Sequence, residues 1–91
     1  MKLGKPNKKK NGGILMKNVF DYSKLKGRIK EKYNSQKDFA AALNISEVAL
    51  TNKLNNRTKF TQDEIMNCLD LLVIDLNDIP LYFFTLQVRK T

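Results

Sequence analysis

Histidine is absent from this 91-residue chain, and cysteine occurs once, as Cys68. Histidine-based acid–base or nucleophilic catalysis is thereby excluded, and so is a zinc site, which needs several His or Cys ligands. A carboxylate-only enzyme would have to use a pair such as Asp63-Glu64, but these read better as the acidic first turn of a helix capped by Thr61. We expect no enzymatic activity, no cofactor and no metal. Cys68 sits among Ile65, Leu69 and Leu72 at helical spacing, which is the pattern of a buried thiol rather than of a ligand or nucleophile. No apolar run is long enough to span a bilayer, and residues 12–20 are too short and too interrupted by Lys17 and Asn18 to be a signal peptide. A cytoplasmic location, in a bacterial host cell, is expected. Arginine is scarce as well, three against an excess of Lys and Asn, a composition that suggests an AT-rich genome.

What the chain has is ordinary hydrophobic content, 42%, enough for one domain with a modest core, and an uneven charge. Residues 1–16 carry five Lys and no acid; residues 17–59 carry ten basic and four acidic side chains; residues 60–91 carry two basic and five acidic ones. The net +8 is thus a basic half followed by an acidic one, a molecule that presents one side to a polyanion. Lys24, Lys26, Lys30 and Lys32 have two readings, a solvated helix face or partial phosphate contact.

The stretch from Ser35 to Asn56, SQKDFAAALNISEVALTNKLNN, reads as two short helices joined by a tight turn. Ser35 can cap the first, and Phe39, Ala40 and Leu43 form its apolar face, with Ala40 small enough for a second helix to cross close by. In the turn, Asn44 tolerates the left-handed backbone, Ile45 plugs the gap between the helices and Ser46 caps the second. On that second helix Leu50 and Leu54 face the core, while Val48, Thr51, Asn52 and Asn55 form one outward stripe. Short, mostly uncharged side chains suit base edges: Asn can pair bidentately with adenine, and Val48 or the Thr51 methyl can touch a thymine methyl. Glu47 has two roles open to it, the favourable end of the helix dipole or acceptance from a cytosine amine.

These residues resemble the helix-turn-helix family of phage repressors and Cro proteins, in a small phage-type variant. The resemblance spans residues 25–79. It is carried by Gln36, Phe39, Ala40, Leu43, Ile45, Ser46 and Leu50, then by Phe60-Thr61-Gln62-Asp63-Glu64-Ile65. It implies a phosphate contact from Gln36 and base-facing positions at Glu47, Val48 and Asn52. Two departures stand out: Asn44 where many members have Gly, and Lys53 where many have an apolar residue followed by Glu. That Glu often pairs with an Arg on the first helix, so no such pairing is carried over to Arg28.

The expected fold is all-α, a compact bundle of about five short helices. Helices are predicted over residues 23–33, ended by Asn34, over the motif, over residues 62–73 with Ile65, Cys68, Leu69 and Leu72 inward, and from about Asn77, whose side chain can cap a last helix with Pro80 in its first turn. The loop Asn56-Arg57-Thr58-Lys59 offers Arg57 and Lys59 to phosphates, the bland alternative being a solvated turn, and Phe60 would pack beneath it. Phe84, Leu86 and Val88 alternate with polar residues, the period of a short β-strand. Such a strand needs a partner, either residues 19–22 or its own copy in a second subunit. Residues 1–15 are expected to be a disordered basic extension, with residues 16–91 as the domain. Codons for Gly12-Gly13 can spell a ribosome-binding site in front of Met16, which makes Met16 the expected native start; a basic arm that grips DNA is the functional reading of the same tail.

The function expected from these readings is sequence-specific binding of double-stranded operator DNA by a small transcriptional regulator acting by occupancy. Glu47, Val48, Thr51 and Asn52 would face bases, and Gln36, Lys37, Asn55, Arg57 and Lys59 would contact phosphates. A homodimer is expected, with residues 81–88 at or near the two-fold interface and recognition helices about 34 Å apart. The alternative is a protein-interaction module, an antirepressor or antitoxin-like partner, that uses the same fold without reading DNA.

Overall fold

The computed structural model describes residues 19–87 and is all-α. Helices α1 (Ser23–Tyr33), α2 (Gln36–Leu43), α3 (Glu47–Leu54) and α4 (Gln62–Leu72) are followed by a 3-10 turn, Leu76–Asp78, that runs into α5 (Ile79–Phe83). The residues 1–15 extension, Met16 and Val88 lie outside the described residues.

Local sequence explains most of the boundaries. The Ser35 and Ser46 hydroxyls accept from the N–H of Asp38 and Ala49, at 3.1 and 3.0 Å, each satisfying one of the four donors a helix start leaves unpaired. Thr61 and Glu64 form a reciprocal capping box at the start of α4. Asn34 and Asn44 end α1 and α2 with φ of 67° and 64°, a backbone that Asn tolerates better than other side chains. Helix α4 ends one residue earlier than its periodicity predicts, because Val73 takes φ 54° and closes the helix in a left-handed turn. The Arg28 guanidinium holds that turn from α1, donating at 2.8 Å to both the Leu72 and the Val73 carbonyl. Arg28 therefore satisfies the carbonyls that the end of α4 leaves free, and among the described residues its carboxylate partner is Glu31 on its own helix.

Two expectations for the end of the chain are corrected. The last helical segment is capped by Asp75, which accepts from the N–H of Asn77 at 2.9 Å, and not by the Asn77 side chain; Pro80 does fall in the first turn of α5. Among the described residues, the C-terminal alternation yields a single antiparallel bridge, Phe20 to Leu86, rather than a strand. Its partner is the segment before α1, within the same chain: Asp21 N–H donates to the Thr85 carbonyl at 2.7 Å and Gln87 N–H to the Val19 carbonyl at 2.8 Å. The intramolecular pairing open to this segment is thus formed.

The core joins Leu25 and Ile29 of α1, Phe39, Ala40 and Leu43 of α2, Leu50 and Leu54 of α3, Cys68, Leu69 and Leu72 of α4, and Phe83 of α5. Ile45 and Ile65 are half-buried against it. Leu50 is fully enclosed, so truncation to Ala would cost about 2–5 kcal/mol and loosen α3 from its support. At one end of the bundle the rings of Phe20, Tyr22, Phe60, Phe83 and Phe84 meet edge to face or tilted, with centroids 5.4–6.1 Å apart.

Candidate nucleic-acid interface

Helices α2 and α3 make the most extensive helix–helix contact of the fold, and Leu50 and Leu54 turn one side of α3 into the core. The opposite side is therefore fixed outward. Glu47 and Val48 are exposed in the first turn of α3, Val48 at 69%; Thr51 and Asn52 follow one turn on, half-buried, and Asn55 is exposed at the C-terminal cap. The predicted stripe is thus assembled on one face. On α2, Gln36 is half-buried at the first position and Lys37 is exposed beside it.

The loop after α3 carries exposed Arg57 and Lys59 and is folded back onto the helix. Arg57 N–H donates to the Asn52 carbonyl at 2.8 Å, and Arg57 Nη1 reaches Asn52 Oδ1 at 3.4 Å. A predicted phosphate residue and a predicted base-facing residue are therefore in mutual contact. Asn56, between them, takes φ 65° and aims its amide at the segment before α1: Oδ1 accepts from Phe20 N–H at 2.9 Å and Nδ2 donates to the Phe20 carbonyl at 3.0 Å. This two-bond latch, 36 residues long in sequence, has no local signature beyond an Asn in a turn.

The partners of Lys53, a departure from the family pattern, leave no local signature either. Its ammonium lies 3.1 Å from Glu64 Oε1 and 3.1 Å from the Lys59 carbonyl, with the Lys53 and Glu64 side chains only 12% and 19% exposed. The cation of α3 is withdrawn from the outward face to hold the loop against α4. Glu64 is pulled two ways: partial burial raises its pKa, and the Thr61 N–H together with the Lys53 ammonium outweigh that and leave it below the ordinary carboxylate value. The T-x-x-E spacing at Thr61 was the sequence signal for half of this arrangement. Cys68 is fully enclosed, and its thiol is pushed up to about 12 by burial, with the Glu64 charge adding to it.

Residues 18–86 match the family described as "Protein of unknown function (DUF739)", and the chain belongs to that family. Among solved structures it is similar to the solution structure of the modulator of repression (MOR) of the temperate bacteriophage TP901-1 from Lactococcus lactis. The two are 40% identical, the match covers 77% of this chain and 95% of that one, and the TM-score is 0.66. No protein with a curated description matches.

Proposed function

We propose that this protein is a regulator of phage-type repression that works through the outward face of α3, and that this face reads operator DNA. One observation carries the reading: Val48, Thr51 and Asn52 project from a helix whose other side is locked into the core, next to a loop that presents Arg57 and Lys59. Short side chains suited to base edges thus sit beside cations suited to phosphates. The basic balance of residues 17–59 and the likeness to a protein named for modulating repression support it. Occupancy of a site needs no catalytic group, so regulation would follow protein concentration, salt and any self-association.

A second reading, docking of the same face on a protein partner in the repression circuit, is favoured by two features of α3. Its only lysine is withdrawn toward Glu64, and the apolar Val48 is 69% exposed beside the exposed carboxylate of Glu47. The similar protein is, besides, called a modulator of repression rather than a repressor. Random-library DNA selection with the purified full chain decides between them. A consensus enriched by the wild type and lost in Asn52→Ala is the expected result. No enrichment over the starting library would overturn the DNA reading and leave the protein partner, for which Val48→Asp is then the disrupting variant.

A further inference from the structure

A cavity of about 320 Å³ opens between the segment before α1, the loop after α3 and α5. Its size is at the lower end of ligand sites, room for one large side chain rather than an extended molecule. Tyr22, Phe60 and Phe83 are among its walls, and half-exposed Phe84 stands at its mouth with Arg57 and Lys59. No lining residue is acidic. Glu64, next in sequence to the lining residue Ile65, is already paired with Lys53.

An aromatic box with a cationic rim selects its occupant by charge. The chain's own ends do not fit: residues 1–18 carry six Lys and no acid, and residues 88–91 add Arg89 and Lys90, so both would meet the rim with like charge. Duplex DNA keeps its bases stacked inside, and neighbouring wall rings stand at 80° and 87° to one another, which is no flat platform for successive bases. We propose that this cavity is a recognition pocket for an aromatic side chain flanked by acidic residues on a protein partner. The ring would enter edge to face against Phe60 and Phe84, and the flanking carboxylates would meet Arg57 and Lys59. Because Arg57 and Lys59 are also the cations offered to phosphates, an occupied pocket and bound DNA exclude one another. The inference rests on the protein-docking reading for its partner and adds a second contact point, apart from the α3 face.

The test is an NMR titration of the full-length ¹⁵N-labelled chain with a blocked Glu-Phe-Glu peptide. Saturable amide shifts at Thr58, Lys59 and Phe84 are expected, with Kd of about 1 mM for so small a ligand. Charge reversal of the rim, Arg57→Glu with Lys59→Glu, should weaken binding about tenfold or more, and a Lys-Phe-Lys peptide should not bind. The proposal is overturned by an absence of saturable shifts up to about 10 mM. Equal binding of Glu-Ala-Glu would overturn it too, since charge alone would then suffice, and so would tighter binding of oligothymidylate at the same residues. The peptide comparison uses the wild-type chain and stands whether or not the double variant folds. Val48→Asp separates this proposal from the α3 reading: it should leave peptide binding unchanged whatever it does to docking of α3.

Discussion

Replacing Asn56 tests the joint on which the loop after α3 hangs. The side chain does two things at once: it makes two hydrogen bonds to the Phe20 backbone and it tolerates φ 65°. Asn56→Gly keeps the backbone freedom and removes both bonds. At about 0.5–1.5 kcal/mol net for each neutral bond, and with both only part-buried, the loss should be about 2 kcal/mol. Asn56→Ala loses the same bonds and adds a left-handed backbone cost of about 1 kcal/mol, partly offset by the lower entropy of Ala in the unfolded chain. Asn56→Asp keeps the acceptor but sets a carboxylate oxygen against the Phe20 carbonyl, so it should fall at least as far as Gly. For a domain of this size about 2 kcal/mol lowers Tm by about 8–16 °C. Urea unfolding of the four proteins, with amide exchange at Phe20 as the local readout, measures the ladder. An Asn56→Gly protein with the wild-type midpoint and a still-protected Phe20 amide would show that the latch contributes nothing and that Asn is needed only for its φ.

Val73 holds a left-handed backbone with a β-branched side chain that is 68% exposed, so Val73→Gly should stabilise by about 0.5–1 kcal/mol in denaturant unfolding; a loss would mean the side chain has a packing role in the fold. Cys68 should be inert to a thiol reagent at pH 8 in the folded protein and react at the rate of unfolding, whereas fast native-state labelling would contradict its burial. Because Glu64 titrates below its unfolded value, its contribution is fully present above that unfolded value, near pH 4.5, and is lost as pH falls through the folded pKa; in Lys53→Met the folded pKa rises toward the unfolded one and this acid-dependent loss should shrink, and an undiminished loss in acid-unfolding curves would refute the pairing. On the DNA reading, Arg57→Ala should weaken binding to all sequences alike and reduce the log–log salt slope by about 0.9, while an unchanged slope in binding titrations would remove Arg57 from the interface.

How much of this was legible in the sequence follows from how far apart the interacting residues are. Ser35, Ser46 and Thr61 announce three helix starts because a cap is read within three residues, and Asn44 announces the turn between α2 and α3 because few side chains accept its backbone. The outward placement of Val48 follows from Leu50 and Leu54 alone. Beyond that reach the sequence is silent. Arg28 meets the end of α4 44 residues away, Asn56 meets Phe20 across 36, and neither pairing leaves a periodic trace. Lys53 looks like one more solvent-facing lysine until α4 brings Glu64 beside it. Val73 misleads in the opposite direction, since a β-branched residue is the last one expected to take a left-handed turn, and only the Arg28 bonds to the adjoining carbonyls account for its place. Three alternating apolar residues near the end could not separate a strand from a single bridge.

The loop after α3 is consequently held by the segment before α1 and by the segment from α5 onward. Five-residue α5 is far too short to persist by its own hydrogen bonds and is held by the burial of Phe83. Phe83 touches Phe60 at the foot of the loop; Phe60 touches Tyr22, and Tyr22 touches Phe20, whose backbone the Asn56 amide grips. The bridge from Phe20 to Leu86 closes the circuit from the C-terminal side. Arg57 and Asn52, the residues with which the loop and α3 would meet a partner, are fixed to one another at the point where this circuit ends. A ligand that spread the rings of Phe20 and Phe84 would therefore act on Asn56 first and then on Arg57, whose N–H holds the Asn52 carbonyl and whose guanidinium reaches the Asn52 side chain. On the DNA reading, binding and release would share one piece of the fold, and neither would require α3 itself to leave the core.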